Sequence, residues 1–272
     1  MSLDDPFEKI AWLRPPQLGG WEYLVAHRSR HLWTVYHETY ALCAGVQLWG
    51  QSWRYRGRTH TRLSPGMMLM EPGELHRTLA MPNGAQFKVA QILPAAVANA
   101  AGELGMSGVV HLCRAQTDDP ELTAAVWRLG EMAERGTVET LEAQTLQAVV
   151  LRHLLSHAER PPRSAEGGDE PAAMERAREY LRTHVLAQIT LDELATVAGI
   201  GRFRLLRAFQ RRFGVPPHTY HNQLRVERAR AMLRKGMTPA VVSAEMGFCD
   251  QSHFTRHFKK ILGVTPGEYV RG

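Results

Sequence analysis

The sequence predicts an α+β, multidomain chain: an N-terminal antiparallel β barrel with a helical hairpin, followed by an all-α domain of two helix-turn-helix units. Three observations support this fold class. Short aromatic runs separated by turn signals fill roughly the first hundred residues, helical spacing begins near residue 118, and the C-terminal part contains an internal duplication. The 272 residues, 44% of them hydrophobic, are enough for two cores.

The β region is predicted from runs that are too short and too often interrupted for helices. An apolar, aromatic run from Tyr40 to Trp53 is followed by Met67–Met70 and by a run from Phe87 to Leu93. Ser64-Pro65-Gly66 and Pro82-Asn83-Gly84 supply turns between them. We therefore assign residues 1–117 to a small antiparallel sandwich or barrel.

A helical hairpin is predicted over residues 118–158. Asp119 and Pro120 are suited to the start of a first helix that ends at Gly136. A second helix from about Val138 to Ala158 would cover the barrel with its apolar face, or use part of that face to form a homodimer. Residues 159–171, rich in Pro, Gly and charge, are predicted to be a linker, which leaves residues 172–272 as a separate domain.

The C-terminal domain contains the duplication. Six residues recur at a spacing of 49 positions: Arg207, Phe209, Gly214, Val215, Pro217 and Tyr220 correspond to Arg256, Phe258, Gly263, Val264, Pro266 and Tyr269. In each copy a short apolar helix, a Gly-containing turn and a basic helix follow one another, which is the pattern of a helix-turn-helix. A long helix from about Pro217 to Lys235 separates the two basic helices.

Charge and composition narrow the class of protein. Residues 171–272 hold 17 Lys and Arg against 8 Asp and Glu, whereas the rest of the chain is slightly acidic. A basic excess confined to one domain favours binding to nucleic acid. Three widely spaced cysteines argue against a disulfide framework, and no long apolar run is present, so we expect a cytoplasmic protein with no membrane partner.

The basic helices supply the candidate DNA contacts. Their predicted exposed positions are Arg202, Phe203, Leu206, Arg207 and Arg211 in the first unit, and Gln251, Ser252, Thr255, Arg256, Lys259 and Lys260 in the second. Arg and Gln can bind guanine and adenine bidentately in the major groove, and apolar side chains can contact thymine methyls. Arg207 and Arg256 are the predicted base readers, with phosphate contact or a solvated helix face as the alternatives, while the neighbouring Lys and Arg are expected to contact phosphates.

The second unit resembles the DNA-binding domain of the AraC/XylS family of bacterial transcription regulators. The resemblance lies in Gly247-Phe248, Asp250-Gln251-Ser252-His253-Phe254, Arg256, Phe258-Lys259, Gly263, Thr265-Pro266 and Tyr269. It implies two recognition helices in successive major grooves of double-stranded DNA, joined by the long helix. The first unit departs from the family at Gly201, where Ser or Thr usually caps the recognition helix.

The N-terminal domain resembles the cupin-type effector domain of such regulators. His37-Glu38-Thr39-Tyr40, Gly45, Ser64-Pro65-Gly66 and Glu71-Pro72-Gly73-Glu74-Leu75-His76 carry this resemblance. Enzymatic cupins hold a metal through two His, a Glu and a later His, but Val35 stands where the first His would be. We therefore expect no metal and no cofactor. His153 and His157, at i and i+4, lack an evident third ligand.

A cupin-like barrel without metal can still hold a small molecule. The candidate effector-binding residues, each of which could instead belong to the core, are Trp33, His37, Trp49, Trp53, Arg54, Tyr55, Arg58, His60 and His76. The arginines among them hint at an anionic effector.

These observations favour a homodimeric regulator, an activator of RNA polymerase controlled by a small-molecule effector, and not an enzyme. The alternatives are a cupin-type metalloenzyme fused to a DNA-binding domain, a DNA-repair protein with an activated cysteine, or a regulator controlled by a protein partner.

Overall fold

A computed structural model describes residues 8–46, 48, 50–62, 66–82, 85–106, 108–112, 114–159, 169–248 and 250–272. These residues form two larger antiparallel sheets, a pair of two-residue strands, ten α-helices and a 3-10 helix at Pro16–Leu18. The sheets lie N-terminal and the helix-turn-helix units C-terminal, as the sequence predicts. No described helix combines the length and the apolar character needed to cross a bilayer.

The strands are β1 (Lys9–Leu13), β2 (Glu22–Ser29), β3 (Thr34–Tyr36), β4 (Tyr40–Val46), β5 (Ser52–Tyr55), β6 (Arg58–Thr61), β7 (Met67–Met70), β8 (Leu75–Ala80), β9 (Ala85–Ile92), β10 (His111–Leu112), β11 (Gln116–Thr117) and β12 (Ala158–Glu159). One sheet has the order β1-β2-β9-β4-β7-β11 and the other the order β3-β8-β5-β6, while β10 pairs with β12. The run predicted from Tyr40 to Trp53 is thus divided between two sheets. A turn at Gly50, whose φ of 79° suits glycine, lies between the two strands.

Three helices accompany the sheets: α1 (Pro94–Glu103), α2 (Pro120–Arg135) and α3 (Thr140–Ser156). The Asp119 side chain accepts a hydrogen bond from Leu122 N, and Gly136 ends α2 in the left-handed conformation, as predicted. Helix α1 was not predicted. On α3 the buried residues include Ala143, Val150 and Leu154, whereas Leu141 is 78% exposed.

The C-terminal helices are α4 (Asp169–Thr183), α5 (Leu191–Ala198), α6 (Arg202–Phe213), α7 (Pro217–Arg234), α8 (Pro239–Glu245), α9 (Gln251–Leu262) and α10 (Pro266–Arg271). Helix α7 matches its predicted bounds to within one residue. Helix α4 instead begins within the predicted linker, of which residues 160–168 lie outside the described residues.

Buried apolar side chains form three clusters. One joins α2 and α3 to one face of the six-stranded sheet. A second combines residues of both sheets, including Trp33 and Phe87, with the core of the second helix-turn-helix unit, including Phe254 and Phe258. The third is the core of the first unit together with Tyr36 and Leu75. The C-terminal helices therefore pack directly against the β region.

Candidate functional site

Helix α6 is the recognition helix of the first unit, and its inner face is fixed by the buried Leu205, Phe209 and Phe213. This places Arg202, Phe203, Arg207 and Arg211 on the outside, with Leu206 half-buried. Phe203 is 68% exposed. Gly201 offers no side-chain cap to the helix, as the sequence predicts.

Helix α9 is the recognition helix of the second unit and has the same design. Phe254, Phe258 and Leu262 are buried, which leaves the predicted contact residues exposed or half-buried: Gln251, Ser252, Thr255, Arg256, Lys259 and Lys260. Asp250 caps this helix through a hydrogen bond of 2.6 Å from His253 N. The two basic helices therefore present comparable polar faces.

The arginines on these faces differ in their partners. Glu170 of α4 pairs with Arg211 at 2.6 Å and with Arg204 at 3.4 Å. Among the described residues the side chains of Arg207 and Arg256 have no ion-pair or hydrogen-bond partner. Because nothing described competes for their guanidinium groups, these two side chains are available to a ligand such as a base edge.

A cavity lies between the two sheets. Its volume is about 470 Å³, counting the part that is open to solvent. The residues that line it are Trp12, Leu24, Trp33, Val35, His37, Cys43, Gln51, Met68, Met70, His76, Thr78, Met81, Phe87, Val89 and Gln91. Most of these side chains are apolar. The predicted effector residues Trp33, His37 and His76 are among them.

The polar end of the cavity is formed by His37, His76 and Gln91. The two imidazoles stack with ring centroids 5.1 Å apart. Burial lowers the pKa of His76 to about 4. Burial also lowers the pKa of His37 well below its ordinary value, with smaller contributions from His76 and Arg230. Both imidazoles are therefore uncharged at neutral pH.

Gln91 connects the cavity to the C-terminal domain. Its side-chain oxygen accepts a hydrogen bond of 2.9 Å from Arg230 on α7, and its amide nitrogen lies 3.4 Å from His37 Nδ1. The fully buried Arg230 also pairs with Glu22 of β2 at 2.5 Å and with Glu227 at 2.7 Å. Its guanidinium lies 4.3 Å from the centroid of the Trp12 ring.

This buried cluster of Glu22, Gln91, Glu227 and Arg230 holds its charges by mutual attraction. Burial alone would raise the pKa of Glu22, but the charges of Arg230 and Arg234 lower it below its ordinary value. For Glu227, burial outweighs the attraction of Arg230 and raises the pKa. This cluster was not predicted from the sequence. Its one signal is Arg230 itself, an arginine between the apolar positions Ala229 and Leu233 of α7.

The other predicted effector residues lie away from the cavity lining. Trp53 and Tyr55 are buried, and His60 stacks on Trp53 with centroids 5.5 Å apart. Arg58 is exposed, and Arg54 donates a hydrogen bond of 3.0 Å to the carbonyl of Arg211 at the end of α6. Trp49 lies outside the described residues. Of these two arginines, Arg54 thus contacts the first unit.

Two further groups bear on the enzymatic alternatives. Burial raises the pKa of Cys43 to about 11, so its thiol is not activated; Cys113 and Cys249 lie outside the described residues. His153 and His157 do meet a third group, since their ring nitrogens lie 2.8 Å and 3.1 Å from Asp119 Oδ2. Yet in the described ranges no three His, Cys, Asp or Glu residues are arranged to hold a metal ion.

Comparisons with known proteins agree with this geometry. Residues 194–272 match a family described as a helix-turn-helix domain. A putative AraC-like transcription regulator of Streptomyces antibioticus is 29% identical over 178 residues, which cover 62% of this chain and 59% of the relative. The uncharacterised HTH-type transcriptional regulator YbfI of Bacillus subtilis strain 168 is 24% identical, covering 70% of each chain.

Solved structures resemble the whole chain. Apo ToxT K231A from Vibrio cholerae strain SCE256 superimposes with a TM-score of 0.54 at 14% identity, covering 92% of this chain and 97% of that one. Wild-type ToxT of the same strain, bound to an unsaturated fatty acid, has a TM-score of 0.50 at 11% identity and covers 99% and 97%. At this identity the likeness shows the fold.

The fold and the two exposed recognition helices define a two-domain protein with a DNA-binding helix-turn-helix domain. Residues 194–272 match a helix-turn-helix domain, and the chain is similar to proteins named AraC-like transcription regulators, in agreement with the resemblance of its residues.

Proposed function

We propose that the protein is a sequence-specific transcription regulator whose DNA binding is controlled by a small molecule in the N-terminal cavity. The observation that carries the proposal is that the cavity and the helix between the two recognition helices share one hydrogen-bonded cluster. Gln91 contacts the cavity on one side and Arg230 of α7 on the other. One ToxT structure is bound to an unsaturated fatty acid, which supports a small-molecule ligand for a protein of this fold.

The DNA-binding part of the proposal is supported by the length of α7, the helix that lies between α6 and α9. Helix α7 has 18 residues and is therefore about 27 Å long. That length is compatible with recognition helices in successive major grooves, which lie about 34 Å apart on one side of the duplex. Arg207 and Arg256 would read bases, while Arg211, Lys259 and Lys260 would contact phosphates.

Control by the effector requires that the ligand bind one arrangement of the two domains better than another. A ligand that contacts His37 or Gln91 changes the hydrogen bonds available to Arg230, and thereby the position of α7. Homodimerisation, activation and contact with RNA polymerase belong to the same proposal, as does a location in the cytoplasm.

In vitro selection of duplexes with the full-length protein tests the proposal. We expect a consensus of two short blocks about one helical turn apart, and an affinity that a cavity ligand changes severalfold. Equal binding to selected and random duplexes would contradict the assignment as a sequence-specific regulator. Ligand binding without any effect on DNA affinity would contradict control through the cavity.

A further inference from the structure

The cavity between the sheets has polar atoms that no described residue satisfies. His37 Nε2, Trp33 Nε1, His76 Nδ1 and Gln51 Oε1 are buried and have no hydrogen-bond partner. All four belong to side chains that line the cavity. Because an unpaired buried polar atom costs about 1–3 kcal/mol, such a group indicates a ligand that completes it.

The hydrogen bonds of Gln91, next to His37, determine which nitrogen of the His37 imidazole carries the proton. Arg230 and Thr39 both donate to the side-chain oxygen of Gln91, at 2.9 Å and 3.3 Å. This orients the Gln91 amide so that its NH₂ group faces His37 Nδ1. Nδ1 is therefore the acceptor, and the neutral imidazole carries its proton on Nε2. Trp33 Nε1 is also a donor, so the unpaired groups include two N–H donors.

The lining also sets the charge of the ligand. None of the described residues that line the cavity carries a formal charge at neutral pH, since both imidazoles are neutral. The cation behind Gln91, Arg230, is already paired with Glu22 and Glu227. A carboxylate in the cavity would therefore find no counterion among the described lining residues, and a buried charge without one is strongly unfavourable. The buried Arg62 interacts with Cys43 but does not itself line the cavity, and its Nη1 donates to the Gly66 carbonyl.

We propose that the cavity binds an uncharged, largely apolar molecule with a hydrogen-bond-accepting oxygen, such as a ketone carbonyl, held by the N–H groups of His37 and Trp33. The proposal rests on the effector-binding function proposed above and specifies its ligand class. Trp12, Trp33, Phe87 and the methionines Met68 and Met70 would surround the apolar body.

Three probes of similar size test this class on the full-length protein by calorimetry: acetophenone, benzoate and ethylbenzene. Acetophenone should bind about tenfold or more tightly than benzoate. It should also bind about 3- to 10-fold more tightly than ethylbenzene, which corresponds to one or two net hydrogen bonds. Trp33→Phe should remove a measurable part of the advantage over ethylbenzene, because the His37 N–H remains as the second donor. Trp53→Phe is the matched control, because its buried Nε1 is also unpaired but Trp53 does not line the cavity.

The protonation of His37 gives a second readout that does not depend on any variant. Nitrogen NMR of the wild-type protein at pH 7 should show a neutral imidazole with its proton on Nε2. A proton on Nδ1, or equal binding of acetophenone and ethylbenzene, would overturn the donor assignment.

Preference for benzoate would overturn the ligand class while leaving the proposed effector function intact. Failure of all three probes, followed by failure of a broad thermal-shift screen of neutral and anionic compounds, would contradict both proposals.

Discussion

Arg207 and Arg256 occupy equivalent positions on α6 and α9, and both are exposed. We predict that Arg256→Ala weakens binding to a selected site by about 1–3 kcal/mol and relaxes the preference at one base position, because a bidentate contact discriminates between bases. Lys259→Ala should weaken selected and random duplexes about equally. Fluorescence anisotropy with both duplexes distinguishes the two roles, and identical losses for the two variants would contradict them.

His76 should make the stability of the protein depend on pH. Its pKa of about 4 lies below the ordinary value of 6.5, so the unfolded chain binds a proton more readily than the folded one. The free energy of unfolding is therefore unaffected by protonation of His76 above pH 6.5. It falls as the pH drops from 6.5 towards 4, because His76 takes up a proton in the unfolded chain but not in the folded one. Between pH 7 and pH 5 this amounts to about 2 kcal/mol.

Urea unfolding at pH 7 and pH 5 measures this dependence. His76→Gln should flatten the difference between the two pH values, whereas His218→Gln, at an exposed position of α7, should leave it unchanged. An undiminished pH dependence in His76→Gln would show that other groups are responsible.

At the scale of single elements, the two recognition helices differ in their N-caps. Asp250 caps α9 with its side chain, while Gly201 leaves α6 uncapped. Asp250→Ala should cost about 1 kcal/mol of stability, and Gly201→Ser should gain a few tenths. A Cβ at Gly201 meets no atom within 4 Å, so space does not limit the second change. Thermal unfolding of both variants checks the pair; a destabilising Gly201→Ser would contradict the assignment.

The sequence predicted elements best where their ends have local signals. Asp119 and Gly136 bound α2, and Pro217 begins α7, as predicted, because the residue types that favour helix ends act within a few residues. Helix α1 was missed although Pro94 begins an alanine-rich run, because the preceding strands suggested a continuous β region. The apolar run from Tyr40 to Trp53 was assigned to the β region, but the sequence did not show that its two parts belong to different sheets, since only strand pairing decides this.

At the scale of the whole molecule, Arg230 holds two distant parts of the chain together. Arg230→Met should lower the free energy of unfolding by about 3–5 kcal/mol, because it leaves the carboxylates of Glu22 and Glu227 buried without their partner. Adding Glu227→Gln should recover part of that loss.

Urea unfolding of the single and double variants tests this, with Arg234→Met as the control. Arg234 lies on the same helix but is partly exposed and contacts only one of the two carboxylates, Glu22, at 3.2 Å, so its loss should cost less than about 1 kcal/mol. An equal loss in the free energy of unfolding for Arg230→Met and Arg234→Met would contradict the claim that Arg230 is the main partner of the buried carboxylates.

The two candidate sites were predictable to different extents, because a sequence shows local patterns but not which distant segments pair. The exposed faces of α6 and α9 follow from helical periodicity, which is local. The cavity depends on which strands pair and face each other, so Trp33, His37 and His76 were predicted but Gln91 and Met68 were not. The bond between Glu22 and Arg230 joins residues more than two hundred positions apart, and no local pattern reports it.

The contact between the β region and α7 also limits how such a protein can be recombined with its relatives. Glu22, Gln91 and Trp12 belong to the N-terminal part, and their shared partner Arg230 belongs to the C-terminal part. A hybrid made by cutting at residues 159–171 would separate these complementary groups and leave a buried charge unmatched. Functional chimeras of this protein would therefore have to take both sides of the contact from the same parent. The buried cluster, and not the linker, decides which segments can be exchanged.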